Sequence, residues 1–314
     1  MAENTEKKQV NQKVVTADED GIRLDRWIKT HFPAISHVLL QKLLRKKAVR
    51  VDNKRAKADT RLKEGQEIRV PDIAVSEVQT VKKPPPKASP EDITQVKNSI
   101  IYENKDILVL NKPPALATQG GTKVINSVDS ILREIYTPAP KLIHRLDKDT
   151  SGVLLVAKNR KIAEEASKEF QTRETKKVYW AIAIGVPKEK EGQIFAPLTK
   201  MQDKVVVDKL GKTALTSYKV IDNMGKKLSL IEVEPLTGRT HQIRVHLAHI
   251  GHPILGDGKY GGKDAFPDFV LGEKKLCLHA KHLEIMLQDK KYAFDASVSE
   301  HMKEIIKVYF THCC

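Results

Sequence analysis

His144-Arg145-Leu146-Asp147-Lys148-Asp149-Thr150-Ser151-Gly152 is a polar run standing directly before the apolar stretch Val153 to Ala157. The apolar stretch has the length of a buried strand, and Thr150, Ser151 and Gly152 put the residues before it in a loop. A sheet can hold such a loop rigid, which suits a catalytic group. A turn satisfied by its own side-chain hydrogen bonds would also explain the polar residues.

Working outward, further apolar runs read as strands: Ile107 to Leu110, Val178 to Ile184, Ala214 to Ile221, Leu228 to Val233 and Leu276 to Leu287. Helices are fewer. Val128, Ile131, Leu132 and Ile135 share one helical face, and Ile162, Ala166 and Phe170 line another that Asn159 could cap. Grouped strands with few helices predict an α+β fold with a mixed, largely antiparallel sheet rather than a βαβ repeat.

Two chemistries can be set aside. A kinase loop requires His-Arg-Asp without an intervening leucine and a glycine-rich phosphate loop, and Gly120-Gly121 is only long enough for a turn. Asp147 and Asp149 lie two residues apart on one loop, which does not place them across a scissile glycosidic bond.

The chain has 314 residues, 40% of them hydrophobic, enough for one large and one small domain. No stretch approaches the ~20 apolar residues of a membrane span, and Met1 to Lys13 lacks the apolar segment of a signal peptide, so a cytoplasmic protein is expected. Neither a coiled-coil heptad nor an association motif is visible, and a monomer is the default. The three cysteines, Cys277, Cys313 and Cys314, have no metal or redox spacing. His241, His246, His249, His252 and His279 cluster in sequence without a recognised zinc spacing, so neither metal nor dissociable cofactor is expected.

A formal net charge of +15 favours polyanionic partners, nucleic acid first. The charge is concentrated: Lys42 to Lys63 holds ten basic residues against Asp52 and Asp59. Leu24, Trp27 and Ile28 define one helix, and Leu39, Leu40, Leu43 and Leu44 a second with Ser36 as its N-cap. Short strands follow at Val49 to Val51 and Ile68 to Val70. With Arg23-Leu24-Asp25-Arg26-Trp27 and Gly65-Gln66-Glu67-Ile68-Arg69-Val70, this segment resembles the S4 RNA-binding module. Lys42, Arg45, Lys46, Arg50 and Arg55 are its candidate RNA contacts. The proline tract Lys82 to Pro90 reads as a spacer. The expected order is a flexible tail (1–20), the S4-like αβ domain (21–80), a proline-rich linker (81–96) and a catalytic domain (97–314).

His144 to Gly152 matches the signature of the pseudouridine synthase family that modifies ribosomal RNA. Further matches occur in family order at Ile107 to Pro113, Lys176 to Tyr179, Gly238 to His246, Gly251 to Asp257 and Leu278 to Ala280. The resemblance implies that Asp147 attacks the target nucleoside and that Arg244 pairs with it. It implies that Tyr179 stacks on the base and is a candidate for moving the carbon-five proton, and that Arg145 enters the RNA helix in place of the extruded nucleotide. Arg239 is a weaker basic candidate, placed by strand alternation on the face opposite Arg244.

Thr150-Ser151-Gly152 and Gln119-Gly120-Gly121 are most similar to members acting on 23S rRNA, so that RNA or a large-subunit assembly intermediate is the implied partner. Thr122 to Pro140 departs from their pattern. The alternatives are another member type of the family (synthase D type) with other 23S rRNA target uridines, or a non-catalytic RNA-binding ribosome-assembly factor on the same scaffold.

Overall fold

The apolar spacing around Leu24 and Leu40 becomes two helices packed on a small sheet. The computed structural model describes residues 10–71, 88–120, 126–172, 174–272 and 275–311. The chain divides into two compact units, Met1–Pro85 and Pro86–Cys314. In the first, β1 (Val10–Val14) precedes α1 (Leu24–His31) and α2 (His37–Arg45), then β2 (Arg50–Val51), β3 (Lys54–Arg55) and β4 (Glu67–Pro71). The strands form one sheet in the order β1-β4-β2-β3. Leu24, Trp27, Ile28, Leu40, Val51, Ile68 and Val70 make its core. Ser36 starts α2 as expected, its Oγ accepting the Leu39 N–H at 3.2 Å.

Strand β1 lies within the stretch expected to be a tail. It pairs antiparallel with β4, Val14 opposite Glu67. Residues 11–14 are exposed, so the strand is held by its backbone ladder and buries no alternating face. That is why hydrophobic periodicity gave no sign of it.

The second unit opens at α3 (Pro90–Asn98), inside the stretch read as linker. Ser89 Oγ accepts the Asp92 N–H at 3.1 Å and Pro90 takes the first helical position, where its missing N–H is harmless. The last residues of the proline tract thus begin a helix; residues 81–87 lie outside the described residues. Next come β5 (Ile100–Glu103), β6 (Ile107–Lys112), α4 (Val128–Ile135), β7 (Lys141–Leu142), β8 (Ser151–Ala157), α5 (Arg160–Glu169) and β9 (Lys176–Ile184). They are followed by β10 (Glu191–Phe195), the hairpin β11 (Leu198–Met201) and β12 (Lys204–Val207), β13 (Leu215–Met224) and β14 (Leu228–Pro235). The unit closes with α6 (Gln242–His249), β15 (Leu278–Leu287), β16 (Lys290–Asp295) and α7 (Glu300–Tyr309).

The main sheet runs β10-β13-β14-β9-β15-β8-β6-β5, with β16 on β15 and β7 on β8. Its pairings are antiparallel except β8 with β15, which makes the domain α+β with a mixed, largely antiparallel sheet. Strands β6 and β8 read as unbroken apolar runs because both faces are covered. Val109, Val153 and Leu155 pack with Ile162 and Ala166 of α5, whereas Leu108, Leu110 and Leu154 pack with Ile131 and Leu132 of α4. Asn159 caps α5, accepting the Ile162 N–H at 2.9 Å. The run Leu276 to Leu287 is shorter as a strand and turns through Gln288 and Asp289, both with positive φ, into β16. Such a paired left-handed turn matches hairpin twist. No helix among the described residues is long and apolar enough to cross a membrane.

The parallel contact between β8 and β15 sets the start of β8, and it demands glycine. Gly152 has φ +108, and a Cβ there would stand 2.2 Å from the Ala280 carbonyl oxygen. Gly152→Ala is expected to destabilise this unit by about 3 kcal/mol through strain and overpacking. Urea unfolding of the full chain checks it: the midpoint falls further for Gly152→Ala than for Gly225→Ala, whose Cβ would meet nothing within 4 Å and which bears only the cost of its positive φ.

Candidate active site

The loop before β8 is fixed at several points by groups from several stretches of the chain. The Leu155 N–H donates to His144 Nε2 at 2.9 Å, and the His144 ring stacks on Phe170 at 4.4 Å. Thr118 accepts the Leu146 N–H at 3.1 Å and donates to the Leu146 carbonyl at 2.7 Å. Lys112, fully buried at the end of β6, donates from Nζ to the carbonyls of Pro113, Leu116 and Lys148 at 2.7, 2.8 and 3.0 Å. A buried ammonium is costly unless its protons find acceptors, and here three carbonyls supply them. Ser151 bonds His279 Nδ1 at 2.9 Å. Asp147 therefore projects from a loop clamped on both sides.

Opposite it stands α6. Sequence alternation placed Arg239 and Arg244 on a strand, and the structure corrects this: Arg244 lies in the helix and Arg239 in the turn before it. The buried helix shows no clear period because it is covered nearly all round, so its pattern resembled that of a strand. Arg244 reaches Asp257 through two parallel bonds, Nε to Oδ2 at 2.8 Å and Nη2 to Oδ1 at 2.7 Å. Its third nitrogen, Nη1, lies 3.7 Å from Asp147 Oδ2. Burial opposes the guanidinium charge, but the carboxylates of Asp257 and Asp147 more than restore it. His241 also comes within 3.7 Å of Asp147 Oδ2, through Nε2.

Asp147, whose side chain is 20% exposed, borders a cavity of about 340 Å³. Tyr179, Lys177, Phe170, Arg239, His241 and Arg244 share that wall. Burial first, and then the charge of Asp147, push the Tyr179 hydroxyl well above the usual phenol range, so it stays protonated. A second cavity, on the side of Lys148 and Asp257, is also bordered by Asp147 and Arg145.

The chain that builds this site has counterparts among known proteins. Residues 106–249 match the family model described as RNA pseudouridylate synthase, and residues 22–68 match that of the S4 domain. The ribosomal large subunit pseudouridine synthase C of Vibrio cholerae serotype O1 is 33% identical over 302 residues, which is 93% of this chain and 95% of that protein. The chain belongs to the pseudouridine synthase family.

The synthase of the same name from Rickettsia typhi is 35% identical over 92% of this chain and 95% of its own. Among solved structures, human RNA pseudouridylate synthase domain containing 4 superposes with a TM-score of 0.58 at 26% identity, covering 68% of this chain and 94% of that one. Human RNA pseudouridylate synthase domain containing 1 gives 0.55 at 28%, covering 67% and 86%. The family and the α+β fold expected from the motifs are those found.

Of the residues singled out in sequence, Asp147, Tyr179, Arg244, Arg145 and Arg239 come together around the first cavity. Arg145 is exposed, with no side-chain partner among the described residues, and Arg239 donates from Nε to the Thr213 carbonyl at 3.1 Å. In the S4 unit, Arg45 and Arg55 line a shallow depression with Arg23 and Lys57. Arg50 faces Arg55 across the β2–β3 pair, while Lys42 and Lys46 are exposed on or just after α2 outside that depression. Asp257, Tyr260 and Lys112 carried no role in the sequence reading, although Lys112 and Asp257 lie in motifs quoted there. Of the other histidines in that stretch, His246 is held by Thr216 and the Ala196 carbonyl and His252 by the Ile184 carbonyl. Among the described residues no three His, Cys, Asp or Glu side chains converge as a metal site. Gly121, Thr122 to Ile125 and the terminal His312-Cys313-Cys314 lie outside the described residues.

His144 gives the site a pH signature. Burial, assisted by the Lys177 charge, lowers its pKa from 6.5 to about 3, so it is neutral in the folded chain and protonates on unfolding in mild acid. The unfolded state then holds the extra proton, and stability falls as pH drops from 6.5 towards 3. His279, lowered to about 4, adds to the same trend. In urea unfolding across that window, His144→Gln is expected to flatten the slope relative to the parent protein; an unchanged slope refutes the assignment.

Proposed function

We propose that this protein converts uridines of 23S ribosomal RNA into pseudouridine, with Asp147 as the nucleophile, in the manner of large-subunit synthase C. The observation that carries the reading is Asp147 held beside Arg244 and Tyr179 at a cavity large enough for a flipped-out nucleoside. Near full-length similarity to the synthase C proteins supports the RNA class and the finer type.

The chemistry follows from the groups present. A carboxylate can form and then release a covalent bond, and Arg244 stands beside this one. The bond between N1 of the base and the ribose breaks, the base turns, carbon five joins the ribose, and the proton leaves carbon five as N1 gains one. Nothing is oxidised or reduced, so the reading calls for no dissociable cofactor. Tyr179 stays protonated, which gives it first the task of stacking on the base and donating a hydrogen bond. Removal of the carbon-five proton by its oxygen requires that the phenol first give up its own. Arg145, exposed and without a side-chain partner among the described residues, would occupy the gap left by the extruded nucleotide, where a planar guanidinium partly restores stacking.

The S4 unit supplies affinity through phosphates by way of Lys42, Arg45, Lys46, Arg50 and Arg55. The reading includes a monomer working in the cytoplasm on naked 23S rRNA or on an assembly intermediate.

Tritium at carbon five of uridine reports the reaction. The parent protein is expected to release it from 23S rRNA transcripts, and Asp147→Asn to release none while binding the RNA as before. Binding without release by the parent protein would favour the non-catalytic assembly factor instead. Neutralising Lys42, Arg45 and Lys46 together should weaken RNA binding and lower the slope of log affinity against log salt by about 2. An unchanged slope removes these residues from the interface.

A further inference from the structure

The fold goes to some length to hold His241 beside Asp147. It precedes α6 with φ +55, a left-handed backbone that side chains with a Cβ rarely adopt, and its side chain does not cap the helix. Its Nδ1 is 2.6 Å from the Tyr260 hydroxyl. That hydroxyl accepts the Val205 N–H of β12 at 3.2 Å, and its own proton is available to His241 Nδ1. With that proton donated to Nδ1, the neutral ring carries its own on Nε2, the nitrogen that faces Asp147 Oδ2.

The groups facing the ring are Asp147, Asp257, Arg244, Lys259 and Tyr260. Burial lowers the His241 pKa, and the Arg244 and Lys259 charges assist against the two aspartates, so the ring is neutral at pH 7. Tyr260 serves both partners, since its ring lies under the Arg244 guanidinium, 5.1 Å from centroid to Cζ. Both His241 Nε2 and Arg244 Nη1 make their closest approach to the same carboxylate oxygen. At 3.7 Å neither is a hydrogen bond, but a closure of less than about 1 Å makes each one, as catalytic contacts commonly tighten on substrate binding.

We propose that His241, its tautomer fixed by Tyr260, is a positioning residue that joins Arg244 in anchoring Oδ2 of Asp147 and leaves Oδ1 as the atom that attacks. The assignment rests on the reading of Asp147 as the nucleophile. A carboxylate gripped by one donor can rotate about its terminal bond and present either oxygen. Two donors converging on one oxygen from α6 fix both the rotation and the identity of the attacking atom.

The ring tautomer can be read directly in the intact protein by long-range proton–nitrogen correlation with nitrogen-15 histidine, the His241 signal being the one lost in His241→Asn. Asparagine tolerates the left-handed backbone, so that variant keeps the fold. The expected spectrum shows Nε2 protonated and Nδ1 bare, and Tyr260→Phe, which keeps the ring under Arg244, shifts the signal toward the other tautomer. His241→Asn and Tyr260→Phe should each lower kcat by on the order of 10-fold or more, with KM for the RNA held within about twofold. A parent protein with Nδ1 protonated, or His241→Asn turning over at the parent rate, overturns the proposal. Failure of the parent protein to release tritium at all would instead remove the nucleophile reading beneath it, a result separable from either.

Discussion

The bidentate bond between Arg244 and Asp257 is the interaction on which the site depends. Two charges taken out of water repay their desolvation only when geometry is good and remaining hydrogen-bond capacity is filled. Both conditions hold. The Asp257 side chain is fully buried, and besides the two guanidinium bonds it accepts the N–H groups of Lys259 and Tyr260 at 3.1 and 3.3 Å. It thereby ties the turn after Gly256 to α6 and fixes the plane of the guanidinium. The nitrogen left over, Nη1, is the one presented to Asp147. An arginine reaching Asp147 from solvent would lose side-chain entropy on each approach; this one arrives already ordered.

The other half of the arrangement is built by the sheet. Strands β6 and β8 are buried on both faces, so their ends cannot drift, and the loop between β7 and β8 is pinned by Lys112, Thr118, His144 and Ser151 to groups in those strands, the loop after β6, and β15. Gly152 permits the close parallel passage of β15 at the loop's exit. Aspartate and arginine thus come from two different elements, which is why loop and helix must both be rigid for a 3.7 Å contact to persist.

Much of this was legible beforehand. The apolar runs of β6, β8, β9 and β14 and the caps Ser36 and Asn159 carry their own local signals, and the long motif around Asp147 named the family before any coordinates. What escaped did so for physical reasons. Strand β1 is exposed and lacks alternation, and the start of α3 is written in serine and proline, residues shared by linkers and helix N-termini. Helix α6 is buried on most sides, so nothing in its spacing distinguished it from a strand. The functional company of Arg244 was hidden most deeply. Asp257 and Tyr260 are 13 and 16 to 19 positions away from the groups they hold, and only the turn that folds them back shows that they serve Arg244 and His241.

The central claim is that a buried carboxylate remote from the chemistry sets the nucleophile's partner. Steady-state kinetics of Asp257→Asn, which keeps the shape and removes the charge, test it most directly. With the variant shown to be folded by its thermal transition, the account predicts a loss in kcat on the order of 100-fold and an RNA KM close to that of the parent. Turnover at the parent rate in a folded Asp257→Asn protein would contradict it.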